Sequence, residues 1–106
     1  MSVFSITYNG PMSFFLEGEL DIASVPSLTA AISGSIGAGG TITLDLSGLT
    51  FIDSSGVGAI LEAGMDHLPN GCILLHGVRG APQRVVELMG VDKTTNIHIL
   101  PCLIAV

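Results

Sequence analysis

Positive charge is almost missing from this sequence. Three basic residues, Arg79, Arg84 and Lys93, stand against nine acidic ones, for a net charge of −6 over 106 residues. Three cations spread along the chain cannot build the basic patch that a phosphate backbone requires, so nucleic acid is excluded as a ligand. The acidic balance suits a basic or neutral protein partner and also serves solubility. Charge of either sign is scarce, at 11% of residues, less than half the share in an ordinary globular domain. Apolar residues make up 48%, which rules out a disordered chain.

Cysteine is nearly as rare. Cys72 and Cys102 stand thirty positions apart, with no paired Cys/His spacing around them, so no zinc or other metal site is expected. Each sits in an apolar run and reads as a buried, reduced thiol acting as a small hydrophobe. No apolar run is long enough to span a bilayer. The N-terminus, Met-Ser-Val-Phe-Ser-Ile-Thr-Tyr, has no positive region before an apolar one and does not read as a secretory signal. No membrane association and a cytoplasmic location are the expectation.

What is present suits one domain over residues 1–106, long enough to bury a core unaided. Neither an internal repeat nor a linker interrupts it. Val3 to Tyr8 alternates like a strand, Asn9-Gly10 is a hairpin signal, and Met12 to Leu16 reads as the returning strand. Ser24 is placed as the N-cap of a helix with Pro26 in its first turn. Leu28, Ala31, Ile32 and Ile36 form its apolar stripe, and Gly37 to Gly40 ends it. Thr41 to Leu46 alternates as a strand, and Ser47-Gly48 reads as a turn. From Val57 a helical stripe runs through Ile60, Leu61 and Met65. Asn70-Gly71 is a turn, and Cys72 to Leu75 is a short buried strand. Ala81-Pro82 opens a helix with Val85, Val86, Leu88 and Met89 inside, and Gly90 stops it. Ile97 to Leu100 is the last strand, which Pro101 keeps from simply continuing. The order β-β-α-β-α-β-α-β implies an α/β fold, a mixed sheet of about five strands with helices packed on it.

Asp53-Ser54-Ser55-Gly56 stands where a strand gives way to a helix. Asp and Ser are good caps, because their oxygens satisfy orphan N–H groups of the first turn. Capping accounts for one of the three polar residues and does not require three in a row. The same terminus carries partial positive charge and would accept a phosphate on Ser54 or Ser55. Gly56 and Gly58 bring no side chain to obstruct a second protein. Helix-end physics does not choose between capping and a modification site, nor between the two serines.

Other chemistry lacks its partners. His67, His76 and His98 share no ligand spacing and read as surface or satisfied histidines. The nucleophile-elbow pattern is absent around Ser54, so a small hydrolase would need a base that no spacing supplies. Gly34 to Gly40 lacks the lysine of a phosphate loop and reads as a connection. Asp21 and Asp53 have no pocket built around them for acid–base work. No enzyme activity, catalytic residue or cofactor is expected.

Three stretches carry a family resemblance. Leu44-Asp45-Leu46-Ser47-Gly48-Leu49-Thr50-Phe51-Ile52-Asp53-Ser54-Ser55-Gly56-Val57-Gly58 resembles the signature of the STAS family, in particular its bacterial anti-sigma factor antagonists. Gly18-Glu19-Leu20-Asp21-Ile22-Ala23-Ser24-Val25-Pro26-Ser27-Leu28 resembles the family's bend between second strand and first helix. Val85-Val86-Glu87-Leu88-Met89-Gly90-Val91-Asp92 is similar to its penultimate helix. The resemblance implies a STAS-like sheet with helices mainly on one face. It also implies partner switching, in which the antagonist binds a serine-kinase anti-sigma factor and frees the sigma factor. The kinase then phosphorylates the serine after the aspartate, here Ser54, the antagonist is released, and a serine phosphatase resets it. Asp21, Asp53, Ser55 and Gly56 would shape the docking surface. The resemblance also allows a constitutive interaction or ligand-sensing subunit of a larger signalling or transport assembly. Two departures stand out. Only Pro101 to Val106 follow the last strand, where the family often has another helix. The charge-poor surface is also expected to expose an apolar patch, the mark of a homodimer or a further partner.

Overall fold

The computed structural model describes residues 3–94 and 96–100. Among them the chain folds as β1 (Phe4–Gly10), β2 (Ser13–Leu20), α1 (Val25–Ile32), β3 (Gly40–Ile52), α2 (Ser54–His67), β4 (Gly71–His76), α3 (Gly80–Leu88) and β5 (Ile97–Leu100), with 3₁₀ turns at Ser33–Ser35 and Val91–Lys93. The strands lie in sequence order in one sheet. β1 and β2 are antiparallel, and every later neighbour is parallel. This is the mixed α/β sheet that the element order implies.

Alternation places the core. Phe14 and Leu16, Ile42 and Leu44, Ile73 and Leu75, and Ile97 are buried from four neighbouring strands. Residues between them, such as Glu17, Thr41, His76 and His98, are exposed. One face of the sheet is therefore covered and the other largely wet. α1 and α2 pack together on the covered side, α1 through Leu28 and Ile32 and α2 through Val57, Ile60 and Ala63. α3 packs against β3, whose pairing with β4 stops at Asp45.

Several local expectations are corrected. The hairpin reverses at Pro11-Met12, not at Asn9-Gly10: Gly10 already pairs with Ser13, and Asn9 is an extra residue bulged out after Tyr8. Ser47-Gly48 is no turn. β3 runs straight through it, and two register shifts against β2 absorb the extra residues. The bulges reset the side-chain phase, which is why Leu44, Leu46, Leu49 and Ile52 are all buried although their spacing is irregular. Gly48 permits this, since a Cβ there would meet the Leu16 carbonyl oxygen at 2.8 Å. Ala31 is exposed, as are Met65 (71%), Leu88 (86%) and Met89 (40%); Met65 and Leu88 face outward, each about 200° around its helix from the buried Ala63 and Val86, and Met89 is the C-cap residue past α3. Gly90 does end the third helix, with φ 67° in the left-handed region.

Cys72 is half-buried rather than buried, with Sγ 3.4 Å from the Thr41 hydroxyl. Cys102 and Pro101 lie outside the described residues. No helix among the described residues is long and apolar enough to cross a membrane.

Candidate functional site

β2 and β3 end together, with Leu20 paired to Ile52. The next residues, Asp21 and Asp53, therefore leave the sheet side by side, roughly one strand spacing (~4.8 Å) apart. The Asp53 N–H donates to the Leu20 carbonyl at 3.3 Å, which continues the ladder one step past the strands.

Asp53 is the N-cap of α2. Its backbone is extended (φ −120°), and its Oδ1 accepts from the Gly56 N–H at 3.1 Å. Its carbonyl accepts from the Val57 N–H at 3.0 Å. The N–H groups of Ser54 and Ser55 are then the first-turn donors without an intrahelical acceptor. Ser54 is exposed and Ser55 half-buried. Exposure thus separates two hydroxyls that helix-end physics left equivalent. His67, at the far end of α2, is roughly 20 Å from Ser54 at ~1.5 Å per helical residue, too far to take its proton.

Gly56 is buried. A Cβ there would meet the Leu20 carbonyl oxygen at 2.7 Å and Ile52 Cγ1 at 2.9 Å. Its missing side chain seats the helix on the ends of β2 and β3, and it presents no surface of its own. Gly58 is exposed and has nothing within 4 Å of a Cβ.

Asp21 shapes the facing loop. Its Oδ1 accepts from the N–H groups of Ala23 and Ser24, each at 3.1 Å. The Ser24 hydroxyl lies 2.8 Å from that oxygen and 2.6 Å from the Glu19 carbonyl, with one proton between two acceptors. The Asp21 N–H donates to Ser24 Oγ at 3.1 Å. Ser24 holds the N-cap position of α1 but makes no capping bond. Its side chain turns back into the bend: at N2 Pro26 has no N–H to offer, and the N3 N–H of Ser27 donates to the Ser24 carbonyl at 3.0 Å.

Sequence reasoning missed two apolar members of this surface, Ile22 (76% exposed) and Phe51 (45% exposed). The signal was there, since neither fits the period of its neighbours: Phe51 falls between the buried Leu49 and Ile52, and Ile22 belongs to no stripe. The edge thus combines Asp21, Asp53, two exposed apolar side chains and an exposed hydroxyl. No lysine or arginine occurs before residue 79, so the chain offers this edge no cation from β1 through β4.

His67 is a satisfied core histidine. It is fully buried; Nδ1 accepts from the Gly37 N–H at 2.8 Å, and Nε2 lies 3.0 Å from the Gly40 carbonyl. With Nδ1 accepting, the ring proton sits on Nε2 and is donated to Gly40. His76 Nδ1 stands 3.8 Å from Asp45 Oδ1 on the wet side of the sheet. No group of three His, Cys, Asp or Glu side chains among the described residues could hold a metal.

Comparison with known proteins covers most of the chain. The sequence profile of the family described as "Mlab, STAS domain" matches residues 12–103. An anti-sigma factor antagonist from Mycobacterium paratuberculosis has a similar fold, with a TM-score of 0.75 and 21% identity over 91% of this chain and 86% of that one. The anti-sigma factor antagonist SpoIIAA in its unphosphorylated form matches with a TM-score of 0.72 and 24% identity, covering 96% of this chain and 90% of its own. The Bacillus cell fate determinant SpoIIAA in its phosphorylated form matches with a TM-score of 0.66 and 25% identity, covering 96% and 93%.

Proposed function

This chain belongs to the STAS domain family, and from that premise we propose that it is an anti-sigma factor antagonist switched by phosphorylation of Ser54. The observation that carries the reading is an exposed hydroxyl at the start of α2, directly after the Asp53 cap, on an edge with exposed apolar side chains. The unmodified edge docks on a serine-kinase anti-sigma factor. Ile22 and Phe51 supply apolar contact, while Asp21 and Asp53 face basic groups of the partner. The kinase passes the γ-phosphoryl of its ATP to Ser54 Oγ, and the hydroxyl proton leaves to a base on the kinase.

The phosphate adds about −1.5 to −2 charges beside both aspartates. The first-turn N–H groups of Ser54 and Ser55 tolerate it within this chain. An interface that accepted two carboxylates does not. Like-charge juxtaposition there costs several kcal/mol, and each ~1.4 kcal/mol is tenfold in affinity. The complex dissociates in the cytoplasm, and a serine phosphatase restores the hydroxyl.

The test is incubation with the cognate kinase and ATP, followed by mapping of the phosphate. Label on Ser54 that disappears in Ser54→Ala, together with partner binding at least ~10-fold weaker in Ser54→Asp, is the expected result. Labelling of Ser54→Ala equal to the wild type would refute it.

A second reading has its own support, because the matching profile bears the name Mlab and not that of an antagonist. In it the same edge is a constitutive contact within a larger signalling or transport assembly, without a switch. Partner binding unchanged by Ser54→Asp selects this reading over the first.

A further inference from the structure

Charge is segregated along this chain. Of the nine acidic residues, Glu87 and Asp92 fall within 79–93, and the other seven precede that segment. All three basic residues lie inside it. The segregation coincides with two complementary shapes.

The first is a groove of about 210 Å³ between the C-terminal half of α1, the 3₁₀ turn after it and α2. Ile32, Ile36, Ala59 and Ala63 give it an apolar lining, and Glu62 and Asp66 bring carboxylates one helical turn apart. Both acids are exposed and form no ion pair among the described residues. The second shape is a ridge on α3. Leu88 is 86% exposed, the most exposed large apolar side chain among the described residues. Arg84 precedes it by one turn on the same face, and both Arg84 and Arg79 are exposed without an ion-pair partner among the described residues. The groove is lined by α1, α2 and the turn between α1 and β3 alone, so the chain's own ridge does not fill it.

We infer that the groove takes the α3 ridge of a second copy of this chain, with Leu88 against the apolar lining and Arg84 between Glu62 and Asp66. A groove that meets a ridge is a heterologous contact. Each copy keeps one free groove and one free ridge, so the product is an open chain or a ring and not a two-fold dimer. Ser54 lies outside the groove, and the contact is independent of the reading given to that serine.

Sedimentation equilibrium of the whole chain tests it, over about 10 µM to about 1 mM, the range suited to a small interface. The weight-average mass is expected to rise above the monomer's 10.9 kDa with concentration, and to fall back as salt screens the pairs. Leu88→Glu is expected to stay monomeric while keeping its circular dichroism, because Leu88 contributes nothing to the core. A charge exchange identifies the surfaces. Arg84→Glu alone, and the double change Glu62→Arg with Asp66→Arg alone, should each be monomeric. An equimolar mixture of the two should associate again, since each ridge then finds a groove of opposite sign. A wild type that stays monomeric throughout, or association that survives these changes, overturns the proposal.

Discussion

At Asp53 one carboxylate oxygen closes the first turn of α2 by accepting from the Gly56 N–H, and the side chain also adds negative charge to the exposed edge. The two roles separate by mutation. Asp53→Ala is expected to cost about 1 kcal/mol in urea denaturation through the lost cap. Asp53→Asn keeps an oxygen acceptor and should cost little stability, while altering binding of a charged partner. The nearby glycines make a sharper contrast. Gly56→Ala drives a methyl into the Leu20 backbone, which cannot yield as a side-chain tip would, and should destabilise by about 1–3 kcal/mol. Gly58→Ala meets open space inside a helix and should stabilise by about 0.5–1 kcal/mol. If both changes move the urea midpoint in the same direction, the seating of α2 on β2 is wrong. Asp21 and Ser24 show the limit of reading residue types singly. Both are good caps, and which one takes the backbone donors depends on a bend that neither specifies alone.

Elements are joined here by few side-chain-to-backbone contacts. The far end of α2 is tied to the segment before β3 by His67, through Gly37 and Gly40, and the Asn70 side-chain amide adds a bond to the Gly37 carbonyl at 3.0 Å. The glycine-rich connection after α1 is therefore held in place by the helix that follows β3. His67→Ala should cost about 2 kcal/mol by leaving these backbone groups unpaired. Amide exchange at Gly37 should accelerate more than exchange in β1, on the opposite side of the sheet order, and equal acceleration at both would contradict a local role. β3 depends on bulges. Its apolar residues follow spacings of two and three, so neither a strand period nor a helix period describes Leu44 through Ile52. A turn was the natural reading of Ser47-Gly48, and only pairing with β2 shows that the strand continues through it.

For the whole molecule, charge distribution matters more than net charge. The edge bearing Asp21, Asp53 and Ser54 has no lysine or arginine from the first 78 residues, and the cations gather around α3. A partner at the Ser54 edge must bring its own positive groups. Its association rate should therefore fall steeply as salt is raised from about 0.05 M to about 0.5 M, with a smaller change in dissociation rate. Stopped-flow measurement separates the two, and a salt-independent association rate would point to Ile22 and Phe51 as the dominant contact. Exposed large apolar side chains are spread over the molecule, with Leu88 on the cationic side and Ile22 and Phe51 at the acidic edge.

Element order, the mixed α/β class and the position of Asp53 at a strand-to-helix junction were all legible in the chain, because they rest on local periodicity, turn chemistry and capping. The STAS family was legible separately, through the resemblance of the Leu44 to Gly58 stretch to the family signature. Three features were not local and needed the folded chain. Gly56 is buried because β2 ends beneath it at Leu20, 36 residues earlier in the chain. Met65 and Leu88 stand two residues, about 200° around a helix, from the buried Ala63 and Val86 and so face outward, and Met89 lies just past the end of α3. Asp21 and Asp53 leave the sheet as neighbours because Leu20 and Ile52 are in parallel register, and register belongs to two strands together.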